Sequence, residues 1–172
     1  GFRLLDALFM FGMIFAGLLF PIFSKQLKTS IAVVLDLVKT SANLLLGGIV
    51  IIVFVTVCNA SLILGWIYDD IQDAIGPFQF LMLGFFLIGM NFIFGTLLSA
   101  NGNLKILNSI SAFGIIANIS INIILIPEYG ALGAAIATFT TQGLTAIAQF
   151  LYCIQKFKIP KKPNGILKFL LL

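Results

Sequence analysis

The chain has 172 residues, of which 60% are hydrophobic and 9% charged, and its mean hydropathy is +1.15. A soluble domain of this length has too little interior to hide so much apolar surface, so the composition specifies an integral membrane protein. The net charge of +4 would suggest nucleic acid in a soluble chain, but in a membrane protein charge position matters more than the sum, and no nucleic-acid partner is expected.

Charge-free runs at 7–24, 40–68, 74–104, 106–127 and 129–155 locate the spans. A helix crosses a hydrocarbon core of about 30 Å with roughly 20 apolar residues. Lipid offers the backbone no hydrogen-bond partners, so each run must be helical. The expected fold is therefore all-α, with five transmembrane helices at about 2–23, 43–67, 77–100, 106–126 and 131–154. The chain begins with Gly1 and stops within the apolar run GILKFLLL, so it reads as the C-terminal part of a longer protein. Gly1–Phe23 lacks the basic start and cleavage site of a signal peptide.

Along the chain, Ser24–Ala42 is too polar to span, yet Ile31, Val34, Leu35 and Val38 recur at helical spacing. That pattern predicts an amphipathic interfacial helix, one that can continue into the second span. Trp66, Tyr68, Asp69, Asp70 and Asp73 form an acidic loop with an aromatic anchor at the lipid boundary. Asn101-Gly102-Asn103 is turn chemistry. At Pro127–Gly130 proline stops the helix, glycine permits a reversal and Glu128 needs water, which together predict a tight surface connection. Beyond it, Gly130, Ala134 and Thr138, with Gly133 and Ala137, make rows of small residues that let helix backbones approach closely in lipid. Residues 157–172 read as a basic, proline-broken linker and the start of a further span.

Alternating the five spans puts Lys25, Lys28, Lys39, Lys105, Lys156, Lys158, Lys161, Lys162 and Lys168 on one face. The other face receives Arg3 with Asp6, Asp69, Asp70, Asp73 and Glu128. The positive-inside rule makes the lysine face cytoplasmic.

Few residues can carry chemistry. With no histidine and two cysteines near opposite membrane faces, Cys58 and Cys153, neither a zinc or haem site nor a disulfide is expected. Asp69-Asp70-x-x-Asp73 has the spacing of a magnesium–diphosphate motif, but no second aspartate cluster exists to complete it. It reads instead as a solvated loop, and no catalytic residue is assigned. Arg3 and Asp6 lie one turn apart at the end of the first span. Two readings stand for them: a cavity cation attracting a pyrophosphate, with Asp6 tuning it, or a snorkelling arginine paired with its neighbour. Asn91, Asn118, Asn122, Gln142 and Gln149 are the amides well inside spans. Buried amides must be paired, either across helices or with a substrate, and sugar hydroxyls are natural partners for Asn122 and Gln142.

Three segments carry a resemblance: Leu19–Ser24 (LFPIFS), Ala100–Lys105 (ANGNLK) and Ile126–Thr138 (IPEYGALGAAIAT). In this order they resemble the "LFPxxS", "AxGxxK" and "IPxYGxxGAAxAT" segments of bacterial polysaccharide (O-antigen, Wzx-type) flippases. That family belongs to the MOP superfamily with the MATE drug exporters and the lipid II flippases. The resemblance implies that the five spans form most of the second helical bundle of a MATE-like transporter in the bacterial inner membrane. It implies transport of a polyprenyl-diphosphate-linked oligosaccharide to the outer leaflet by alternating access, together with an N-terminal half that this chain lacks. It also implies a cationic central cavity, to which Arg3, Asp6, Asn91, Asn118, Asn122 and Gln142 are the candidate contributors. No bound cofactor is expected, and proton or sodium coupling is left open. A lipid II flippase and a cation-coupled multidrug exporter share the fold. A membrane enzyme of sugar or lipid transfer and a structural subunit are the readings from other classes.

Overall fold

A computed structural model describes residues 2–66 and 71–157, without the side chains of residues 2–5. Every element among the described residues is an α-helix: α1 (Phe2–Gln26), α2 (Ile31–Cys58), α3 (Ala60–Gly65), α4 (Gln72–Ala100) and α5 (Leu104–Phe157). Four of them, all but the six-residue α3, are long and apolar enough to cross a membrane. Their outward faces stay greasy: Leu44, Phe54 and Ile123 are each more than two-thirds exposed. Such surfaces are stable only against lipid or further protein.

The interfacial helix expected over 24–42 is not a separate element. Residues 24–26 end α1, and from Ile31 the chain runs without a break into the apolar part of α2. Val34, Val38, Ser41 and Ala42 are buried on the same face as Leu45 and Ile49, so one stripe holds the whole helix to its neighbours. Asp36 does not interrupt it because it falls on the opposite, exposed side, and Lys39 sits half-buried at the flank of the stripe. At its far end Asn59 leaves helical geometry (φ −112°, ψ 23°), and its side chain donates to the Val55 carbonyl at 2.9 Å. The second run of apolar residues is thereby divided between α2 and α3.

The Asn101-Gly102-Asn103 turn forms as its residues dictate. Gly102 takes φ 75°, its N–H donates to Ser99 O, and the Asn103 N–H donates to Leu98 O, both at 3.0 Å. This pair of bonds satisfies the last carbonyls of α4 and needs a residue tolerant of positive φ at its centre. Asn103 then opens α5, with its carbonyl accepting from Leu107 N at 3.1 Å.

α5 contains one non-helical residue, Gly130 (φ 54°, ψ −127°), three residues after Pro127. There the chain reverses, and the limbs 104–129 and 131–157 lie antiparallel. Asn118 on the first limb donates to Thr141 on the second at 3.1 Å, and near the far end Asn103 donates to the Tyr152 hydroxyl at 3.1 Å. Gly133 makes the tight return possible, because a Cβ there would collide with the Leu125 carbonyl.

α4 is the central helix, packed on α1, α2, α3 and α5. Phe85, Ile93, Phe94, Leu97 and Leu98 are buried along it. The ends of α1, α4 and α5 and the start of α2 gather at one pole, where Phe23, Val34, Leu97 and Phe157 share a core. Lys25, Lys28, Lys39, Lys105 and Lys156 all belong to that pole, together with Asp36. Asp6, Asp73 and Glu128 belong to the opposite one, where α3, the start of α4 and Leu8 of α1 meet.

Candidate functional site

α1 and α5 each pack on α4, and between them lies a groove of about 830 Å³ floored by α4. That volume falls in the range of small-molecule sites, about 300–1,000 Å³. Each element contributes a helical stripe. The second limb of α5 presents Thr138, Gln142, Thr145 and Gln149, at spacings of four, three and four, so one face of the helix is polar for three turns. The first limb presents Leu107, Ser111, Gly114 and Asn118 at the same spacings. α1 supplies Phe9 and Phe20 with the small residues Ala16 and Gly17 between them. Small residues leave the space, and the aromatic rings bound it.

Two hydrogen-bonded chains of amides and hydroxyls line or back this groove. Asn91 of α4 reaches the second limb, where its Nδ2 donates to Gln142 Oε1 at 2.7 Å, to Thr145 Oγ1 at 3.2 Å and to the Gln142 carbonyl at 3.4 Å. The backbone carbonyl can only accept, which sets the orientation of the Asn91 amide. Its own Oδ1 is then left buried without a partner. In the second chain, Asn122 Nδ2 donates to Asn118 Oδ1 at 2.9 Å, and Asn118 Nδ2 to Thr141 Oγ1 at 3.1 Å. Asn122 Oδ1 is also buried and unpartnered. The third such atom is Gln149 Oε1, on a side chain that is only 5% exposed. It faces Gly95 of α4, where an added Cβ would stand 3.2 Å from it.

Unsatisfied acceptors of this kind cost about 1–3 kcal/mol each when buried. Two of the three belong to residues that line the groove, Asn91 and Gln149, and the acceptor atoms themselves are turned away from the open space. Among the described residues that line the groove none is charged. The described lining is therefore neutral, polar through amides and hydroxyls, and edged with aromatic rings.

Of the residues singled out in the sequence, Asn91, Asn118 and Gln142 come together here, and Asn122 stands behind Asn118 without lining the groove. Asp6 is exposed and does not line it. Arg3 lies in the first turn of α1, with its side chain outside the described residues. Asp69 and Asp70 of the acidic loop lie outside them too, as do residues 158–172. Gln149, Thr145 and Gly17 are the additions. Gln149 is legible in the sequence only as one more intramembrane amide; the 138/142/145/149 spacing is the pattern that singles out its face.

No family model, curated protein or solved structure matches this chain.

Proposed function

We propose that this chain is the membrane-spanning part of a carrier that moves a polyprenyl-diphosphate-linked oligosaccharide from the cytoplasmic to the outer leaflet of the bacterial inner membrane. The observation that carries the reading is a neutral groove of amides and hydroxyls among helices apolar enough to span a bilayer. Polar, uncharged lining at membrane depth is costly unless it serves a polar, uncharged cargo. The LFPIFS, ANGNLK and IPEYGALGAAIAT segments supply the lipid-linked cargo by their resemblance to polysaccharide flippases.

In this reading the limbs of α5 are two separate spans, which gives five, and the lysine pole faces the cytoplasm. The five spans form most of one bundle, and the groove opens to a central cavity shared with a second bundle of the complete protein. Transport then requires two arrangements of the bundles that bind the cargo differently. Among the described residues no carboxylate lines the groove, which disfavours the cation-coupled drug exporter among the superfamily relatives, since such coupling calls for a buried acid.

Deleting the gene tests the function. Unflipped lipid-linked oligosaccharide is expected to accumulate on the inner leaflet while surface glycan falls; unchanged glycan display sinks the reading. Topology has its own check. In intact cells an impermeant amine reagent should leave Lys105 unmodified, and modification there reverses the orientation.

A further inference from the structure

The lysine pole has a geometry that cargo binding does not use. Lys25, Lys28, Lys39, Lys105 and Lys156 collect there, and Asp36 is the one acid beside them among the described residues. Cations in this number attract anions in general, so their neighbours decide the kind of partner. On α1, Phe11, Ile14, Leu18 and Ile22 are exposed and recur at spacings of three, four and four, and the row continues three residues later with Lys25. At about 3.6 residues per turn this row lies on the far side of α1 from Phe9, Ala16 and Phe20, which line the groove. Lys28 is exposed in the turn that follows, where its N–H donates to Lys25 O at 3.3 Å. Ile31 and Val33, at the start of α2, are exposed as well. Lys39 is half-buried at the flank of the stripe from Val34 to Ile49. Helical side chains lean toward the N-terminus of their helix, and α2 has its N-terminus at this pole, so the Lys39 stem runs along α2 toward the turn.

An acidic peptide or a free phosphate would use the ammonium groups and leave the apolar row bare. A phospholipid uses both, with its phosphate at the height where the row ends and an acyl chain along the row. A zwitterionic headgroup brings its own ammonium, so an anionic one complements the pole better. We propose that the α1–α2 turn is a binding site for an anionic phospholipid, its phosphate held by Lys25, Lys28 and Lys39 and an acyl chain laid along Phe11, Ile14, Leu18 and Ile22. The lipid steadies a helix with few anchors of its own: among the described residues of α1 only Gly12, Leu19 and Phe23 are buried. Because α1 is one wall of the groove, the bound lipid also fixes how wide the groove stands. The site requires only that the helices span a bilayer, whatever the cargo.

The test is native mass spectrometry of the complete protein, purified in a neutral maltoside detergent and titrated with dioleoyl phosphatidylglycerol or dioleoyl phosphatidylcholine. Phosphatidylglycerol is expected to bind about tenfold more tightly, by a margin that narrows as ionic strength rises. The triple variant Lys25→Gln, Lys28→Gln, Lys39→Gln should bring the two lipids to within about twofold of each other at an unchanged melting temperature in lipid-free detergent. The matching triple change to arginine should keep the preference. Lys105→Gln with Lys156→Gln, at the same pole but away from the turn, should lower it by less than about twofold. Lys28→Gln alone, exposed in the turn, should lower it about threefold and covers the case in which the triple variant fails to fold.

Equal binding of the two lipids overturns the proposal. So does a preference that the glutamine variants keep, or one lost equally when Lys105 and Lys156 are changed, since either result removes the site from the α1–α2 turn. Displacement of the lipid by inorganic phosphate overturns it too, because the pole then holds free anions and the apolar row has no part in binding.

Discussion

Helix α4 carries two clefts, and they differ in kind. On the α1 side lies the groove of amides and hydroxyls. On the α2 side lies a smaller one of about 450 Å³, walled by Val53, Phe54, Val57, Leu83, Leu87 and Phe139 without a polar side chain. Both use the same central helix and the second limb of α5, which turns Phe139 into one cleft and Gln142 with Thr145 into the other. Hydropathy along α4 or α5 averages over these faces and reports only that both helices suit a bilayer. An apolar cleft can be filled by lipid tails at no cost, whereas the polar one requires hydrogen-bond partners. The two sides of α4 therefore differ in what can fill them: a hydrogen-bonding group on one side, apolar chains on the other.

The largest expected effect comes from removing the element common to both clefts. Gly133→Leu drives a side chain into the Leu125 carbonyl, which is backbone and cannot yield, so the return of the second limb is lost. Destabilisation of about 3 kcal/mol or more is expected, together with loss of monodisperse protein in detergent gel filtration. A well-behaved Gly133→Leu protein would mean that the hairpin is not what holds the clefts apart.

Next comes the polar side alone. Asn91→Leu strands Gln142 Oε1 and should cost about 1–2 kcal/mol in bicelle unfolding. Adding Gln142→Leu should cost less than the sum of the single changes, with a coupling of about 0.6–1.7 kcal/mol. Strict additivity would show that the two side chains do not meet.

Smaller still is Thr145→Val. The Thr145 hydroxyl donates to carbonyls of its own helix, Thr141 O at 3.0 Å and Gln142 O at 3.1 Å, and accepts the longer of the two side-chain bonds from Asn91, at 3.2 Å; Asn91 keeps its 2.7 Å bond to Gln142, and the methyl beside Gly114 is kept. A change of about 0.5 kcal/mol or less is expected from the same unfolding measurement.

The smallest effect belongs to the apolar cleft. Cys58 is exposed and lines it, while Cys153 is buried. N-ethylmaleimide should therefore modify Cys58 in the folded protein and Cys153 only after denaturation, as read by peptide mass. Alkylated protein should unfold in bicelles as before. A shifted unfolding would show that the apolar cleft is coupled to the packing of α4 rather than open to lipid.

Much of the fold was open to a reader of the residues, and particular elements show why. The Asn101–Asn103 turn and the reversal at Gly130 follow from backbone preferences of glycine and proline that act within a few residues. The α2 helix shows where such reading stops. The residues from Ile31 allowed either an interfacial helix by itself or one continuous with the second span, and the buried stripe from Val34 to Ile49 decides for the continuous helix. The span pattern and the charges marked the amides as unusual, yet gave no means of pairing Asn91 with Gln142 across 51 positions.

The residues alone determined that the chain is helical, that it suits lipid, where it turns and at which end its lysines collect, because each of these depends on local composition and period. Only the tertiary arrangement decided which amides meet and which acceptors are left over. It alone placed Gln149 opposite Gly95 and opened a groove between α1 and α5. Those outcomes depend on how helices cross and how closely they approach. Crossing is set by many small contacts at once, so no single stretch of sequence contains it.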